Sequence, residues 1–481
     1  MVALVFLLCL QDPAYDTLLL DAGGRADKIV SRDLNGDGKT DFIVQNGRDI
    51  QCFINQGGKF PLRPQQTLRL DPAVFLWTFG NLDGMKSPAL FTSGSRALQV
   101  HIFDGAAFSA PRDLVVHPSI FEGTSVESQP PLFLEFTPDL DRDGRAELLL
   151  FRKDEMFVMK QGRGGEFRSV QKLPLPVDIV TIVPWAPYQK FTETASVPVL
   201  AFGDTNGDGR PDITTYHEES ISIFRQEADG IFSTTKNLDL TAERRKRRGR
   251  RFFQFDIPPR VADFNGDGLV DIALIYPSKG RVQIYYGRTG RTDFTQPDDV
   301  MRVADGWSTG ITIEDLDGDG KLDLVMGIVR KFGITDGIQV FLSGKVDLEL
   351  HIYPMQGNGR FTKDPVQELR FSIPFAFQLT SDSASLDLAF RPNFEGDFDK
   401  DGLHDMLVRV DEKTLRIYPG VRGQFIRDQP TGAIAMNPPE NVSATEPFVT
   451  ELNGDGVPDL ILKHVMVTPP RHILELKLSR Q

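Results

Sequence analysis

Cysteine is nearly absent: Cys9 and Cys52 are the only two in 481 residues. No disulfide framework can be built from them, so an exported chain would need another staple, such as bound metal ions. Basic charge is also short. Lys and Arg total 54 against 67 Asp and Glu, a net charge of −13. That balance excludes a general nucleic-acid binder, which needs a basic face. Histidine is sparse and scattered, with seven single residues. There is no H-E-x-x-H, no G-x-S-x-G and no Cys/His pair at useful spacing, so no familiar hydrolase or metalloprotease site can be written. Long apolar runs are missing as well. Beyond Met1–Leu10, nothing approaches the ~18 apolar residues of a membrane helix. Residues 1–12 read as the apolar core of a signal peptide without its basic leader; a buried first strand is the alternative.

What the chain does have is a repeat. Its core is D-x-[DN]-x-D-G-x-x-D followed by apolar residues. Copies begin at Asp33, Asp139, Asp204, Asp263, Asp315, Asp397 and Glu451, and an eroded eighth begins at Asn81. The eroded copy keeps Asp83 but has Met85 and Ala89 where carboxylates stand elsewhere. Such a period, with a β-rich unit, signals an array or a propeller. One strand enters each acidic loop (PVLAFGD, GITIED) and one leaves it (DIALIY, DLVMGI). A third alternating strand follows (IQCFIN, VQIYYG), then a Gly-x-Phe-type turn (GGKF, DGIF, GNGRF) and a fourth strand (TLRL, QELRF). Four antiparallel strands per unit make a propeller blade. The fold class predicted is therefore all-β. Residues 13–481 form a single β-propeller of eight four-stranded blades, or seven if the eroded copy is no blade. The last unit lacks an outer strand, and Asp16–Leu20 matches one. Pairing it with Ile473–Leu478 would close the ring and hide two sheet edges. The longest interval between copies, from Asp315 to Asp397, is predicted to hold an extra hairpin around Gly344–Tyr353.

Positions 1, 3, 5 and 9 of each loop carry oxygen side chains, and position 7 can offer its backbone carbonyl. The candidate ligands are Asp33, Asn35, Asp37, Lys39 and Asp41; Asp139, Asp141, Asp143, Arg145 and Glu147; Asp204, Asn206, Asp208, Arg210 and Asp212; Asp263, Asn265, Asp267, Leu269 and Asp271; Asp315, Asp317, Asp319, Lys321 and Asp323; Asp397, Asp399, Asp401, Leu403 and Asp405; and Glu451, Asn453, Asp455, Val457 and Asp459. Hard oxygen ligands in a tight turn suit Ca²⁺, and the lack of nitrogen and sulfur argues against zinc or copper. Carboxylates held this close repel one another without a cation. About seven calcium sites are expected, and the −13 charge is mostly metal-site charge. The loops at Asp139, Asp315 and Asp397 have four carboxylates each and should bind tightest. An EF-hand is excluded, because position 12 is apolar (Val44, Leu150, Leu274) and a strand follows. Gly38-Lys39-Thr40 mimics the end of a P-loop, but Asp33 stands where its first glycine belongs.

With Phe-Gly pairs entering two loops (Phe79-Gly80 and Phe202-Gly203), these repeats resemble the FG-GAP/VCBS family over nearly the whole chain. The resemblance implies a calcium-binding propeller and leaves the function open. Related repeats occur in integrin α-chain heads, in lectins and in some polysaccharide lyases. A binding or adhesion module for a carbohydrate or protein is the expected function, with no catalytic residue; a calcium-dependent lyase and a structural envelope protein are the alternatives. Weak calcium sites fill only where calcium is near millimolar, which places the chain outside the cytoplasm.

A partner is expected on the face opposite the calcium loops, where the longest connections fall: Pro176–Pro198, Thr241–Phe252 and Ser372–Pro392. Trp185 and Tyr188 could stack on a sugar ring. Arg244, Arg245, Arg247 and Arg248 lie in a basic run that could hold an anionic surface. Each has a plainer reading, as loop packing and as a solvated loop.

Overall fold

The structure is a computed structural model. It describes residues 15–480 except 84, 117–129, 153, 176, 183–191, 218–219, 235–237, 240–258, 277–278, 292–293, 304–305, 331–339, 341, 380–383, 389–390 and 467–470. The signal-like segment, Trp185, Tyr188 and Arg244–Arg248 lie outside the described residues.

The strands that leave the acidic loops are continuous apolar runs. Asp41–Asn46, Ala89–Gly94, Asp271–Tyr276 and Asp405–Arg409 are buried over nearly their whole length. Such a strand must be covered on both faces. The third strands alternate buried and half-buried residues, and the outer ones, such as Gln66–Arg69, are half-exposed. This gradient from inside to outside is what a radial stack of blades produces.

Eight antiparallel blades form the ring, so the eroded copy is a true blade. Blade 1 runs Lys28–Arg32, Asp41–Asn46, Asp49–Phe53, Gln66–Arg69 from the axis outward. Blades 2 to 7 follow in chain order. Blade 8 takes Val442–Thr450, Asp459–Met466 and Arg471–Ser479 from the C-terminal end and Tyr15–Leu20 from the N-terminal end. The register runs from Tyr15 opposite Ser479 to Leu20 opposite Leu474, the closure predicted from the sequence. The apolar clusters lie between blades rather than within them. One joins Leu34, Ile43 and Ile50 of blade 1 to Trp77, Phe79 and Leu90 of blade 2. Another joins Phe42 and Phe53 of blade 1 to Leu452, Ile461 and Leu474 of blade 8.

A buried ionic cluster reinforces the closure. The Glu475 carboxylate accepts hydrogen bonds from Lys477 Nζ at 2.8 Å and from the Asn437 backbone N–H at 2.8 Å, and lies 2.9 Å from His464 Nε2. Burial alone would raise its pKa, but His464, Lys477 and Asn437 hold it down at about 2. Lys477 Nζ also donates to Thr17 Oγ1 at 2.8 Å, tying the N-terminal strand to the C-terminal blade.

Two details depart from the predicted pattern. Lys345–Tyr353 is the ordinary third strand of blade 6, not an extra hairpin. The additional hairpin lies later, where Phe375–Leu379 pairs with Ala384–Leu388 beyond the outer strand. Blade 3 also begins irregularly. Leu132–Phe133 runs parallel to the inner strand of blade 2, opposite Leu76 and Trp77. The chain then crosses to its own blade, where Phe136 and Pro138 carbonyls accept from the Leu149 and Glu147 N–H groups. No helix among the described residues is long and apolar enough to cross a membrane.

Candidate metal centres

All the acidic loops join the inner strand of a blade to its second strand, so they share one face of the ring. Their local geometry recurs. In blade 1, Asp33 accepts from the Gly36 and Gly38 N–H groups at 2.7 and 2.8 Å, and Asn35 Oδ1 accepts from Asp37 N–H at 3.0 Å. Both glycines sit at positive φ, +74° and +82°, which lets their amides point back at position 1. Asp204, Asp263, Asp315 and Glu451 are held in the same way. In blades 3 and 7 the first glycine is replaced by Arg142 and Lys400, which adopt φ of 59° and 63°.

Position 9 is a rivet. Asp41 accepts from Leu34 N–H at 2.9 Å and from Asn55 N–H at 2.8 Å, clamping the loop to the third strand. Asp212, Asp271, Asp405 and Asp459 do the same. These carboxylates are buried. Burial, with the other acids of the loop adding to it, pushes Glu147, Asp271, Asp323 and Asp405 up to about 7. Asp41, Asp212 and Asp459 are raised for the same reason. A buried acid so displaced is poised to gain from a cation.

Three groups of carboxylates converge, one oxygen from each residue lying within 4.8 Å of the others: Asp139, Asp141 and Glu147; Asp315, Asp317 and Asp323; Asp397, Asp399 and Asp405. These are positions 1, 3 and 9 of the three loops with four carboxylates. In the first group Glu147 Oε1 is buried without a hydrogen-bond partner. A buried lone pair beside two carboxylates is what a hard cation satisfies, so the residues fit Ca²⁺. Among the described residues, the four loops with Asn35, Asn206, Asn265 and Asn453 at position 3 form no such three-carboxylate group.

Position 5 stands apart from these groups, and part of the reason lies at position 7. Besides its carbonyl, position 7 brings a side chain that pairs with the position-5 acid. Lys321 Nζ lies 2.6 Å from Asp319, Arg210 2.5 Å from Asp208, and Arg145 is bonded to Asp143. Leu269, Leu403 and Val457 have no charge to offer there. The sequence reading missed Lys160, from the third strand of blade 3, which is bonded to Asp141. Lys–Asp proximity across 19 residues leaves no local signal.

The eroded loop of blade 2 is held by protein groups instead. Asp83 N–H donates to Gln161 Oε1 at 2.5 Å, Asp83 Oδ2 accepts from Gly164 N–H at 2.7 Å, and Arg145 lies 3.8 Å from Asp83. All three partners come from blade 3.

On the opposite face, Pro176–Pro198 proves to contain a hairpin, Asp178–Ile182 paired with Thr192–Ser196. Trp185 and Tyr188 lie between those strands in the sequence and outside the described residues.

No curated protein matches the chain. Among solved structures, it is similar to a chain in the crystal structure of BBS1N in complex with ARL6DN, at 10% identity and TM-score 0.43, over 98% of this chain and 97% of that one. A Lactobacillus plantarum protein matches at 10% identity and TM-score 0.35, over 88% and 100%. The N-terminal domain of Nup159 matches at 10% and 0.33, over 97% and 96%. Residues 263–326, the blade 5 loop through the second strand of blade 6, match the FG-GAP-like repeat family. The chain is an eight-bladed β-propeller that carries an FG-GAP-like repeat.

Proposed function

We propose that this propeller binds calcium through its acidic loops and works outside the cytoplasm as a binding or adhesion module, not as an enzyme. The observation that carries the reading is the convergence of positions 1, 3 and 9 in blades 3, 6 and 7, with Glu147 Oε1 left without a partner. One calcium per group is the minimum; the Asn-containing loops are further, weaker candidates. Modules of this kind bind at about 10⁻⁴ to 10⁻³ M, so ~1 mM calcium stabilises each loop by about 0.4 to 1.4 kcal/mol.

The partner is a carbohydrate or a protein on the face opposite the loops. Two added hairpins, Asp178–Ile182 with Thr192–Ser196 and Phe375–Leu379 with Ala384–Leu388, support this, since both follow outer strands and so leave from that face. Four of the seven histidines have structural partners, in keeping with a non-catalytic role: His464 and His472 serve the blade 8 closure, His101 lies 3.2 Å from the Ser109 carbonyl, and His404 lies 3.3 Å from Glu314.

The test is retention of the purified chain on neutral and acidic polysaccharides, with calcium and with chelator, while unsaturated chain ends are monitored. Calcium-dependent retention without cleavage is expected. Cleavage would replace this reading with a lyase. No retention and no calcium-linked rise in melting temperature would remove it.

A further inference from the structure

The inner strand of blade 6, Gly306–Glu314, is not regular. Its pairing with Asp323–Arg330 shifts register between Ser308 and Gly310. Gly310 sits at φ +143°, a conformation L side chains rarely adopt. Across the shift, Gly327 has no room for a side chain, since a Cβ there would stand 2.4 Å from Thr309 Oγ1. Bulges of this kind are common beside binding sites, where they re-aim a strand.

Here the irregularity adjoins a cavity of about 90 Å³ lined by residues of blades 5, 6 and 7. Its apolar surface includes Ile311, Leu348 and Phe394. Its charged residues are Arg260, from the inner strand of blade 5, and Arg391, just before blade 7; both are exposed. Among the described residues, no carboxylate lines the cavity. Neither arginine has an acidic partner among the described residues. Guanidinium groups keep their charge at every relevant pH, so two of them share one concavity without a described carboxylate between them, in a chain whose net charge is −13.

We propose that this cavity binds a small organic anion. The anionic head lies between Arg260 and Arg391, whose planar forks suit a carboxylate, and a short aliphatic body rests on Ile311, Leu348 and Phe394. The volume corresponds to about three waters, room for roughly four carbons. A ligand with about six heavy atoms reaches about millimolar affinity. None of the acidic-loop ligands lines the site, which does not depend on the calcium reading.

The experiment is a calorimetric or NMR titration of the full chain in saturating calcium with butyrate, and in parallel with butyramide, its neutral counterpart. Saturable binding of butyrate is expected, at least ~10-fold tighter than butyramide, since only the anion gains from the two cations. The double variant Arg260→Gln/Arg391→Gln should weaken butyrate at least ~10-fold with an unchanged melting temperature, because both side chains are exposed. Arg63→Gln, remote from the cavity, should change nothing. Equal binding of the two probes, butyrate binding that survives the double variant, or no saturation of butyrate would overturn the proposal.

Discussion

The loop of blade 7 and the loop of blade 2 occupy equivalent places in the ring and are held by opposite means. In blade 7, Asp397, Asp399 and Asp405 converge, and Asp405 is riveted to the Phe398 and Gly420 N–H groups. In blade 2 only Asp83 remains acidic, and Gln161, Gly164 and Arg145 of the next blade hold it. The blade is intact in both cases. The lesson is that an acidic loop does two jobs: it turns the chain between two strands, and it gathers charge. Blade 2 keeps the first without the second, using amides and one guanidinium where blade 7 offers oxygen ligands to a cation.

The comparison can be broken most directly at the rivet. Asp405→Ala leaves two buried N–H donors without acceptors and is expected to destabilise by about 4 kcal/mol in denaturant unfolding, even without calcium. Asp83→Ala should lose about 1 kcal/mol, since its bonds are half-exposed. Equal losses would mean that the two loops bear the same structural load.

Calcium should separate the loops next. Adding ~1 mM calcium to metal-stripped protein is expected to stabilise it by about 1 kcal/mol per occupied loop. Asp399→Asn should remove one such share from the calcium response, with little change in the stripped protein. Asp83→Asn should leave the calcium response intact; a reduced response would show that blade 2 also holds an ion.

The response to pH carries a sign. Asp323 and Asp405 are raised in the fold from an ordinary 3.8 to about 7. Their charged forms are therefore disfavoured by folding. In metal-stripped protein their contribution is most favourable below about pH 4 and is lost as pH rises through about 7. With saturating calcium the trend should reverse, because the bound ion favours the ionised carboxylate. Chemical denaturation at several pH values, with and without calcium, reads both slopes.

The smallest effect concerns backbone strain. Lys400 holds φ of 63° where the loops of blades 1, 4, 5, 6 and 8 have glycine. Lys400→Gly should stabilise by at most about 1 kcal/mol, the strain relieved being partly offset by glycine's unfolded-state entropy. A larger gain would show that the Lys400 Nζ bond to the Asp455 carbonyl contributes nothing.

Much of this was legible in the chain. The spacing of the acidic repeats, the apolar runs that leave them and the spare strand at Asp16–Leu20 specify the four-stranded blade and the closure, because alternation and turn chemistry are local properties; that the eroded copy makes an eighth blade came from the structure. The three loops richest in carboxylate were also readable, since charge count is local. Contacts between blades were not. Lys160 reaching Asp141, Gln161 covering the eroded loop, the Glu475–His464–Lys477 cluster and the crossing of Leu132–Phe133 onto blade 2 all join residues with no periodic relation. So does the cavity beside the one-residue register shift at Gly310, which is lined by one arginine of blade 5 and another just before blade 7. The sequence by itself determined the repeating unit, the closing strand and the candidate ligands, through signals that act over a few residues, and left the blade number at seven or eight. Only the tertiary structure decided which ligands converge, which cations compete for them and where a cavity opens between blades, because those depend on how one blade is packed against the next.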